Sequence, residues 1–538
     1  MTTSHATLSW FQTHRRVIAA LCLFAFAFVF FLWLQDDPTF ADPDSFYHAK
    51  MALLIRDQGI VKDFPWLQAT VLAKSYTDQH LLYHIALIPF VTFFQPIVGI
   101  KIATVLLAAA VVEMVYLLLS ALRVRFAVLY AFILLAIGPF IFRMSLAKAP
   151  SVSMLFLLSG ILLMFKRRRW WLFILSFLYV WAYGGFTLLL VAAAIWSGIG
   201  FFEQFMQSPA RIGRRPLGLM MHSFVRNEHV RTVFSVFSGI ILGVVINPYF
   251  PHNLFFYWSQ LVQIGIINYH SVIGVGNEWY PYPFMDLISS TIFLTVIVII
   301  ALVLFSVFLR SQRRRSWMFF IMAAFFFLLT LKSKRYVEYY VPFGMLFGAT
   351  ALDTSLGRID FRHFLRDVMG WYFKHKVFAM ILIVYFLVTL PAIAVRDTVS
   401  IKGDLRGGSS VTKFAAASSW LENNTPEHAV VFHSSWDEFP LLFYHNTHNY
   451  YIVGLDPTFM YTYNKDLYQK NVDITTGVGV PKIQQVLQKD FKANYVFIEK
   501  HHGGMHSLIS ALPDAKLVYE DSEAWIYYLP PVQNDSSS

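Results

Sequence analysis

Long apolar runs recur through the first three quarters of the sequence, and they constrain the fold more than any other feature. Each run is about 17–23 residues long, the length that an α-helix needs to cross roughly 30 Å of hydrocarbon. Charged residues make up only 14% of the chain and hydrophobic residues 57%, whereas soluble domains are about 25% charged. The sequence therefore predicts a polytopic α-helical membrane protein. The predicted spans are 17–34, 100–121, 126–142, 150–165, 170–183, 186–202, 232–247, 287–309, 316–331, 337–353 and 377–395.

Lys and Arg occur mainly in short clusters between these runs, which is typical of cytoplasmic loops. About eleven spans place all the clusters on one side, provided that the apolar stretch 81–97 does not cross the membrane. We expect that stretch to be an external, half-buried helix, since it carries His84 and Pro89. The net charge of +11 therefore marks topology and does not indicate a nucleic-acid partner. The clusters are 14–16, 123–125, 166–169, 211–216, 310–315 and 358–376.

The last part of the chain has a different character. Residues 400–538 are polar, with turn residues between strand-like runs such as "HAVVFHSS" and "ANYVFIEK". This pattern predicts a small α/β domain outside the membrane, joined by the linker "KGDLRGGSS". The predicted organisation is a transmembrane domain over 1–399, with a long first external loop over 35–99, followed by the extracytoplasmic α/β domain.

The single cysteine, Cys22, lies within the first apolar run, so the chain holds no internal disulfide. That run lacks a small-residue cleavage site, and we expect it to be a retained helix. The lack of disulfides and the positive charge favour a prokaryotic plasma membrane as the location.

Ionisable residues near a membrane are costly and usually have partners. Acidic residues and imidazoles gather in the external loops: Asp42 and Asp44 in "FADPDSFYHAK", Asp78 and His80 in "KSYTDQHLLYH", and Glu278 in "GVGNEWYPYP". Oxygen ligands with one imidazole suit Mg²⁺ or Mn²⁺. A divalent metal ion among these side chains is therefore expected. The same aspartates are also consistent with solvated loop residues or with a helix N-cap before "SFYHAKMALL".

Basic residues lie at the outer ends of two predicted spans. Lys334 and Arg335 occur in "KSKRYVEYY", and Arg143 occurs in the second external loop. The planar fork of arginine suits phosphate oxygens. A cation, carboxylates and arginine on one face would neutralise the charge that develops as a diphosphate leaves a sugar. Snorkelling at the membrane interface is the alternative explanation for these side chains.

Several of these stretches together resemble the catalytic subunit of the oligosaccharyltransferases, a family of the GT-C glycosyltransferase superfamily. "DSFYHAK" is similar to the motif of the family's first external loop, and "GNEW" lies where its external loop carries a glutamate. "KSKRYVEYYVPFGMLFG" resembles its late span with an external arginine, and "SSWDEFP" lies at the place of its "WWDYG" motif. The motifs follow the family's order over nearly the whole chain.

This resemblance implies roles for individual residues. Asp44 would bind the metal and contact the acceptor, with Asp42 beside it, and Glu278 would also contact the acceptor. Arg335 would hold the lipid diphosphate, with Lys334 and Arg143 in support. Trp436 and Asp437 would read the acceptor. The implied reaction is an inverting transfer of a sugar or oligosaccharide from a polyprenyl-(di)phosphate donor to a protein acceptor outside the cytoplasm.

The sequence also departs from the family. The second external loop, "FRMSLAKAPSVSM", keeps Arg143 but has none of the family's carboxylates, and Asp78 with His80 is the expected substitute. Ser435 replaces the first Trp of "WWDYG", and Glu438-Phe439 replace its Tyr-Gly. Three alternatives therefore stay open: a GT-C transferase acting on a glycan or lipid, a flippase or transporter of polyprenyl-linked glycans, and a membrane scaffold. A transporter would line its path with charges at mid-membrane, and Glu113 is the clearest such residue.

Overall fold

The computed structural model describes residues 2–207, 227–358 and 361–532. The predicted basic cluster at 211–216 lies outside the described residues. The chain divides into two compact units, which are taken in turn below. The first comprises Met1–Asp37, Ile102–Val244 and Glu278–Arg406, and the second comprises Pro38–Lys101, Val245–Asn277 and Gly407–Ser538.

The first unit is helical. All eleven predicted apolar segments form helices, because runs of Leu, Phe, Ile and Ala satisfy every backbone group internally only as a helix. The helices of this unit, with Pro96–Ala121 entering it from the second, are Thr2–Leu34, Pro96–Ala121, Ala127–Ile133, Gly138–Ser145, Pro150–Phe165, Arg169–Ala182, Thr187–Gln207, Glu228–Val245, Phe284–Ser290, Ile292–Val307, Arg314–Lys332, Val337–Leu356, Phe361–Lys374, Lys376–Val384 and Leu390–Arg406.

Among the described residues, six helices are long and apolar enough to cross a membrane, or up to eight if each of two bent pairs counts as one span. The bent pairs are Ala127–Ala136 with Gly138–Ser145, at 79°, and Phe284–Ser290 with Ile292–Val307, at 97°. The six are His14–Leu34, Pro96–Ala121, Gly184–Met206, Glu228–Val245, Arg314–Lys332 and Lys376–Arg406. The total of about eleven spans, and the side that each loop faces, stay predictions.

The most deeply buried helix of the first unit is Val337–Leu356, which carries buried residues around nearly its whole circumference. Gly344 and Gly348, four residues apart, allow it to approach the helix Ile292–Val307 closely. A Cβ placed on Gly348 would lie 2.5 Å from the Ile297 side chain. Side chains in the first turn of this helix are therefore held inside the unit.

The second unit is built on a five-stranded mixed sheet, which confirms the α/β character expected for the C-terminal part. The strands lie in the order Tyr450–Tyr451, Val430–His433, Ala493–Glu499, Ala524–Tyr528 and Lys516–Glu520. The first three are parallel and the last two join antiparallel. Its helices are Asp44–Gln58, Leu81–Phe93, His252–Trp258, Ala415–Asn424, Phe439–His445, Thr458–Tyr463, Lys465–Thr475, Ile483–Gln485 and Gly503–Ser510.

The first loop belongs to the same compact unit as this sheet. Thr39–Phe40 pairs antiparallel with Ser409–Ser410. At the sheet edge, Leu67 forms a parallel bridge with Tyr451, and the indole of Trp66 donates to the carbonyl of Thr447 at 2.9 Å. The pairing covers an edge strand that would otherwise leave backbone groups unpaired.

Two stretches can be compared with the sequence predictions. The apolar stretch 81–97 contains the helix Leu81–Phe93, whose 13 residues cover about 20 Å, which is less than the hydrocarbon thickness. The linker prediction was wrong at its start, because the helix Leu390–Arg406 continues through "KGDLR". Within this continuation, the ammonium of Lys402 binds the carboxylate of Asp36 at 2.8 Å.

Candidate functional site

Four charged side chains of the first unit form a compact group, which we call the arginine–glutamate cluster: Arg143, Glu278, Arg335 and Glu338. Arg143 lies on the helix Gly138–Ser145 and is 7% exposed. Its Nη1 donates to Oε2 of Glu278 at 2.6 Å, and its Nε donates to Oε2 of Glu338 at 2.8 Å. Arg143 therefore bridges two carboxylates, as buried charges require partners.

Arg335 occupies the other side of Glu278. It lies in the short turn Lys334–Tyr336, directly after the helix Arg314–Lys332. Its Nη1 donates to Oε1 of Glu278 at 3.0 Å, and its Nη2 donates to the hydroxyl of Tyr183 at 2.6 Å. The guanidinium also lies 4.8 Å from the ring centroid of Trp279. With 23% of its side chain exposed, Arg335 is fixed in place while one edge stays accessible.

The segment that carries Glu278 is held by backbone bonds. The Ser333 hydroxyl donates to the carbonyl of Glu278 at 2.8 Å, and the Lys334 amide donates to the carbonyl of Tyr280 at 2.9 Å. Burial favours the protonated form of the Glu278 carboxyl, but the positive charges of Lys148, Arg335 and Arg143 outweigh it. These charges hold the pKa of Glu278 well below its usual range. The Glu278 carboxyl is thus an anion whose charge is already partly balanced by these neighbouring cations.

The second unit contains another polar group, the histidine–aspartate cluster: His48, Asp78, His80 and His84. His48 lies on the helix Asp44–Gln58 and His84 on Leu81–Phe93. Nδ1 of His84 donates to Oδ2 of Asp78 at 2.7 Å, and Nε2 of His84 lies 2.8 Å from Nδ1 of His48. Oδ1 of Asp78 accepts from the His80 amide at 2.9 Å. Nitrogens of the three imidazoles lie within 4.8 Å of one another, so they are able to hold a metal ion.

Asp42 and Asp44 lie at the beginning of the helix that carries His48. Asp44 is its first residue, and the Asp44 amide donates to Oδ1 of Asp42 at 2.9 Å. This is a short-range turn of the kind that precedes helices. The spacing of four residues places Asp44 and His48 on the same helix face.

Trp436 and Asp437 lie in the turn between the strand Val430–His433 and the helix Phe439–His445. Trp436 packs partly buried against the core of the second unit, whereas Asp437 is exposed. Glu438 is buried, and its carboxylate accepts from the Ser434 hydroxyl and from the Ser435 amide, the latter at 3.0 Å. Glu438 therefore closes the turn, at the position where the resemblance implies Tyr.

The structure brings together predicted residues in two separate groups. Glu278, Arg335 and Arg143 meet in the first unit, and Asp78 meets His80 in the second. Sequence reasoning grouped Glu338 and His84 with the external ionisable residues but assigned them no role, and it did not identify Tyr183 or His48. The spacing of four residues between Asp44 and His48, which puts both on one helix face, was the sequence signal for His48. Tyr183 carried none, because only tertiary packing brings it to Arg335.

Neither a protein-family model nor a curated protein matches this chain. Solved structures do. The archaeal oligosaccharyltransferase AglB from Archaeoglobus fulgidus, in complex with an inhibitory peptide and a dolichol-phosphate, is 15% identical with a TM-score of 0.62, over 91% of this chain and 70% of that one. ArnT from Cupriavidus metallidurans bound to undecaprenyl phosphate is 15% identical with a TM-score of 0.54, over 94% and 97%.

The mycobacterial arabinofuranosyltransferase AftD is 13% identical in one of its structures, with a TM-score of 0.53, and the match covers 96% of this chain but 41% of that one. All three proteins are GT-C glycosyltransferases. The apolar helices and the similarity in fold together identify this chain as an integral, multi-pass membrane protein. The fold expected from the resemblance is confirmed: the chain has the fold of these GT-C glycosyltransferases.

Proposed function

We propose that this protein is a membrane glycosyltransferase that moves a sugar or oligosaccharide from a polyprenyl-(di)phosphate donor to a protein acceptor on the extracytoplasmic face. The proposal rests on the fold together with the arginine–glutamate cluster. AglB and ArnT were solved with dolichol-phosphate and undecaprenyl phosphate respectively. A donor of the same chemical class needs a fixed cation at the membrane surface, and Arg335 has the required chemistry.

Arg335 carries the donor side of the proposal. Glu278 and Tyr183 hold its guanidinium from two directions, so little side-chain entropy is lost when a phosphate binds. The fork of the guanidinium matches two phosphate oxygens. The guanidinium of Arg143 donates to both Glu278 and Glu338. We infer that Arg143 holds Glu278 in position. Lys334 would add positive charge beside Arg335.

The reaction replaces one bond with another. The bond from the anomeric carbon to the diphosphate oxygen breaks, and its electron pair leaves with the diphosphate. The acceptor atom forms a bond on the opposite face of the sugar, and its proton passes to a carboxylate, for which Asp44 is the candidate. A bound Mg²⁺ or Mn²⁺ would neutralise leaving-group charge.

The test is a transfer assay with the purified chain and a polyprenyl-linked oligosaccharide extract. An Asn-x-Thr peptide is the acceptor, and a Gln-x-Thr peptide is the control. We expect Arg335→Gln to lower transfer about 10- to 100-fold, because a hydrogen bond to a charged group contributes about 1.5–3 kcal/mol. Transfer by Arg335→Lys should lie between that of the wild type and that of Arg335→Gln, since lysine keeps the charge without the planar fork. Arg396→Gln is the matched control, because Arg396 is 72% exposed and pairs with its neighbour Asp397.

Unchanged transfer in Arg335→Gln would contradict the proposal, as would movement of the lipid-linked glycan across a membrane without any transfer. A second candidate, transfer to a glycan or lipid acceptor, is favoured by the altered turn around Trp436 and Asp437, in which Glu438 replaces the Tyr expected from the resemblance. Transfer to an endogenous glycan or lipid, with none to either peptide, would select this second candidate.

A further inference from the structure

We propose that His48, His80 and His84 form a site for a divalent transition metal, in which Asp78 orients His84. The proposal refines the cation of the proposed function but does not depend on transfer activity. It also differs from the sequence prediction of an oxygen-rich site. His80 stays a ligand, Asp78 becomes the residue that positions a ligand, and Asp44 is not required.

The hydrogen bond from His84 to Asp78 defines which nitrogen of His84 is available. Both side chains are almost completely buried, at 0% and 1% exposure, and Nδ1 of His84 lies 2.7 Å from the Asp78 carboxylate. A carboxylate accepts from a proton-bearing nitrogen, so in the neutral imidazole Nδ1 carries the hydrogen and Nε2 offers the lone pair. Metal-binding histidines typically donate their second nitrogen to a carboxylate in this way.

The other two imidazoles converge on that lone pair. Nδ1 of His48 lies 2.8 Å from Nε2 of His84, and His80 offers a nitrogen within 4.8 Å of both. His48 is 3% exposed and His84 is completely buried, while His80 is partly exposed. Imidazole nitrogens bind zinc at about 2.0–2.1 Å. Two imidazole nitrogens on one zinc ion are therefore farther apart than the 2.8 Å between His48 and His84. Binding therefore requires a small rotation of one ring and the loss of the hydrogen between Nδ1 of His48 and Nε2 of His84, which passes to the other nitrogen of His48 or to solvent.

The donor set selects the kind of metal. Three neutral imidazoles suit Zn²⁺ and related transition metals, whereas Mg²⁺ prefers oxygen ligands. Asp78 adds one negative charge behind His84, which balances half of the charge of a divalent ion. Three histidines also leave an open position on zinc, and the partly exposed side at His80 is where a further ligand would enter.

The test uses the full-length chain in detergent, stripped with a chelator and reloaded with Zn²⁺ or Mg²⁺. We expect about one equivalent of tightly bound Zn²⁺ by elemental analysis, and a rise in Tm with Zn²⁺ but not with equimolar Mg²⁺. His48→Gln, His80→Gln and His84→Gln should each lose the bound zinc. Asp78→Asn should weaken affinity about 10- to 100-fold. His428→Gln should keep the zinc, because His428 belongs to the same unit but is 56% exposed.

X-ray absorption of the zinc-loaded wild-type chain supplies a measurement that needs no variant. The expected spectrum shows scattering from imidazole rings. An oxygen-only shell, zinc retained in all three histidine variants, equal binding of Mg²⁺, or a folded chain that binds no metal would each overturn the site. Transfer is assayed separately: zinc binding without transfer counts against the proposed function alone, and transfer by a chain that binds no zinc counts against the site alone.

Discussion

Replacing Arg143 tests whether the arginine–glutamate cluster is a buried ion network. Arg143 is 7% exposed and donates to both Glu278 and Glu338. Met fills a similar volume without charge. In Arg143→Met, Glu278 keeps Arg335 as a partner. Glu338, which is completely buried, loses the guanidinium that pairs with its carboxylate at 2.6 Å. The variant therefore leaves a buried carboxylate without its ion-pair partner.

The expected loss of unfolding free energy is about 3–5 kcal/mol, the cost of removing one partner from a buried pair. The double variant Arg143→Met/Glu338→Leu removes both charges and should recover about 1–3 kcal/mol of that loss, because residues in one network are coupled. The ion pair between Arg396, which is 72% exposed, and its neighbour Asp397 provides the control. Arg396→Met should change stability by less than about 1 kcal/mol, as surface ion pairs contribute little.

The assay is equilibrium unfolding of the purified chain in detergent, followed by intrinsic fluorescence of both single variants and the double variant. A loss below about 1 kcal/mol for Arg143→Met would refute the ion-network reasoning. So would a double variant whose loss equals the sum of the two single losses, since additivity means that the two residues do not interact.

Two further predictions concern carboxylates. Because the pKa of Glu278 is depressed in the folded chain, its contribution to stability is full above the unfolded value of about 4.3 and is lost as the pH falls towards the folded pKa. Tm measured between pH 3 and 6 should fall more steeply in the wild type than in Glu278→Gln, and parallel curves would contradict this. Glu438→Ala should lower stability by about 1–3 kcal/mol, because it leaves the buried Ser434 hydroxyl and the Ser435 amide without their acceptor. Asp437→Ala, at the adjacent exposed position, should leave the unfolding curve unchanged, and equal losses in both variants would show that the turn does not depend on the buried carboxylate.

The candidate site was only partly predictable. Glu278 and Arg335 were identified because charged residues beside apolar spans are costly and few. Their contact at 3.0 Å joins residues 57 positions apart, and the contact of Arg143 with Glu338 joins residues 195 apart. Asp78 was identified as a metal ligand from its position beside His80, but its side-chain partner in the structure is His84. Residue type alone did not distinguish a ligand from the group that orients one.

The sequence by itself determined that the chain is a membrane protein with helical spans and a polar α/β part. These features follow from the local order of apolar and polar residues, because backbone groups in lipid must be satisfied within each helix. Tertiary structure alone decided that the first loop covers the edge of the C-terminal sheet, that Tyr183 holds Arg335, and that three histidines converge. Such contacts join distant residues, and they depend on how faces pack together, which no local pattern encodes.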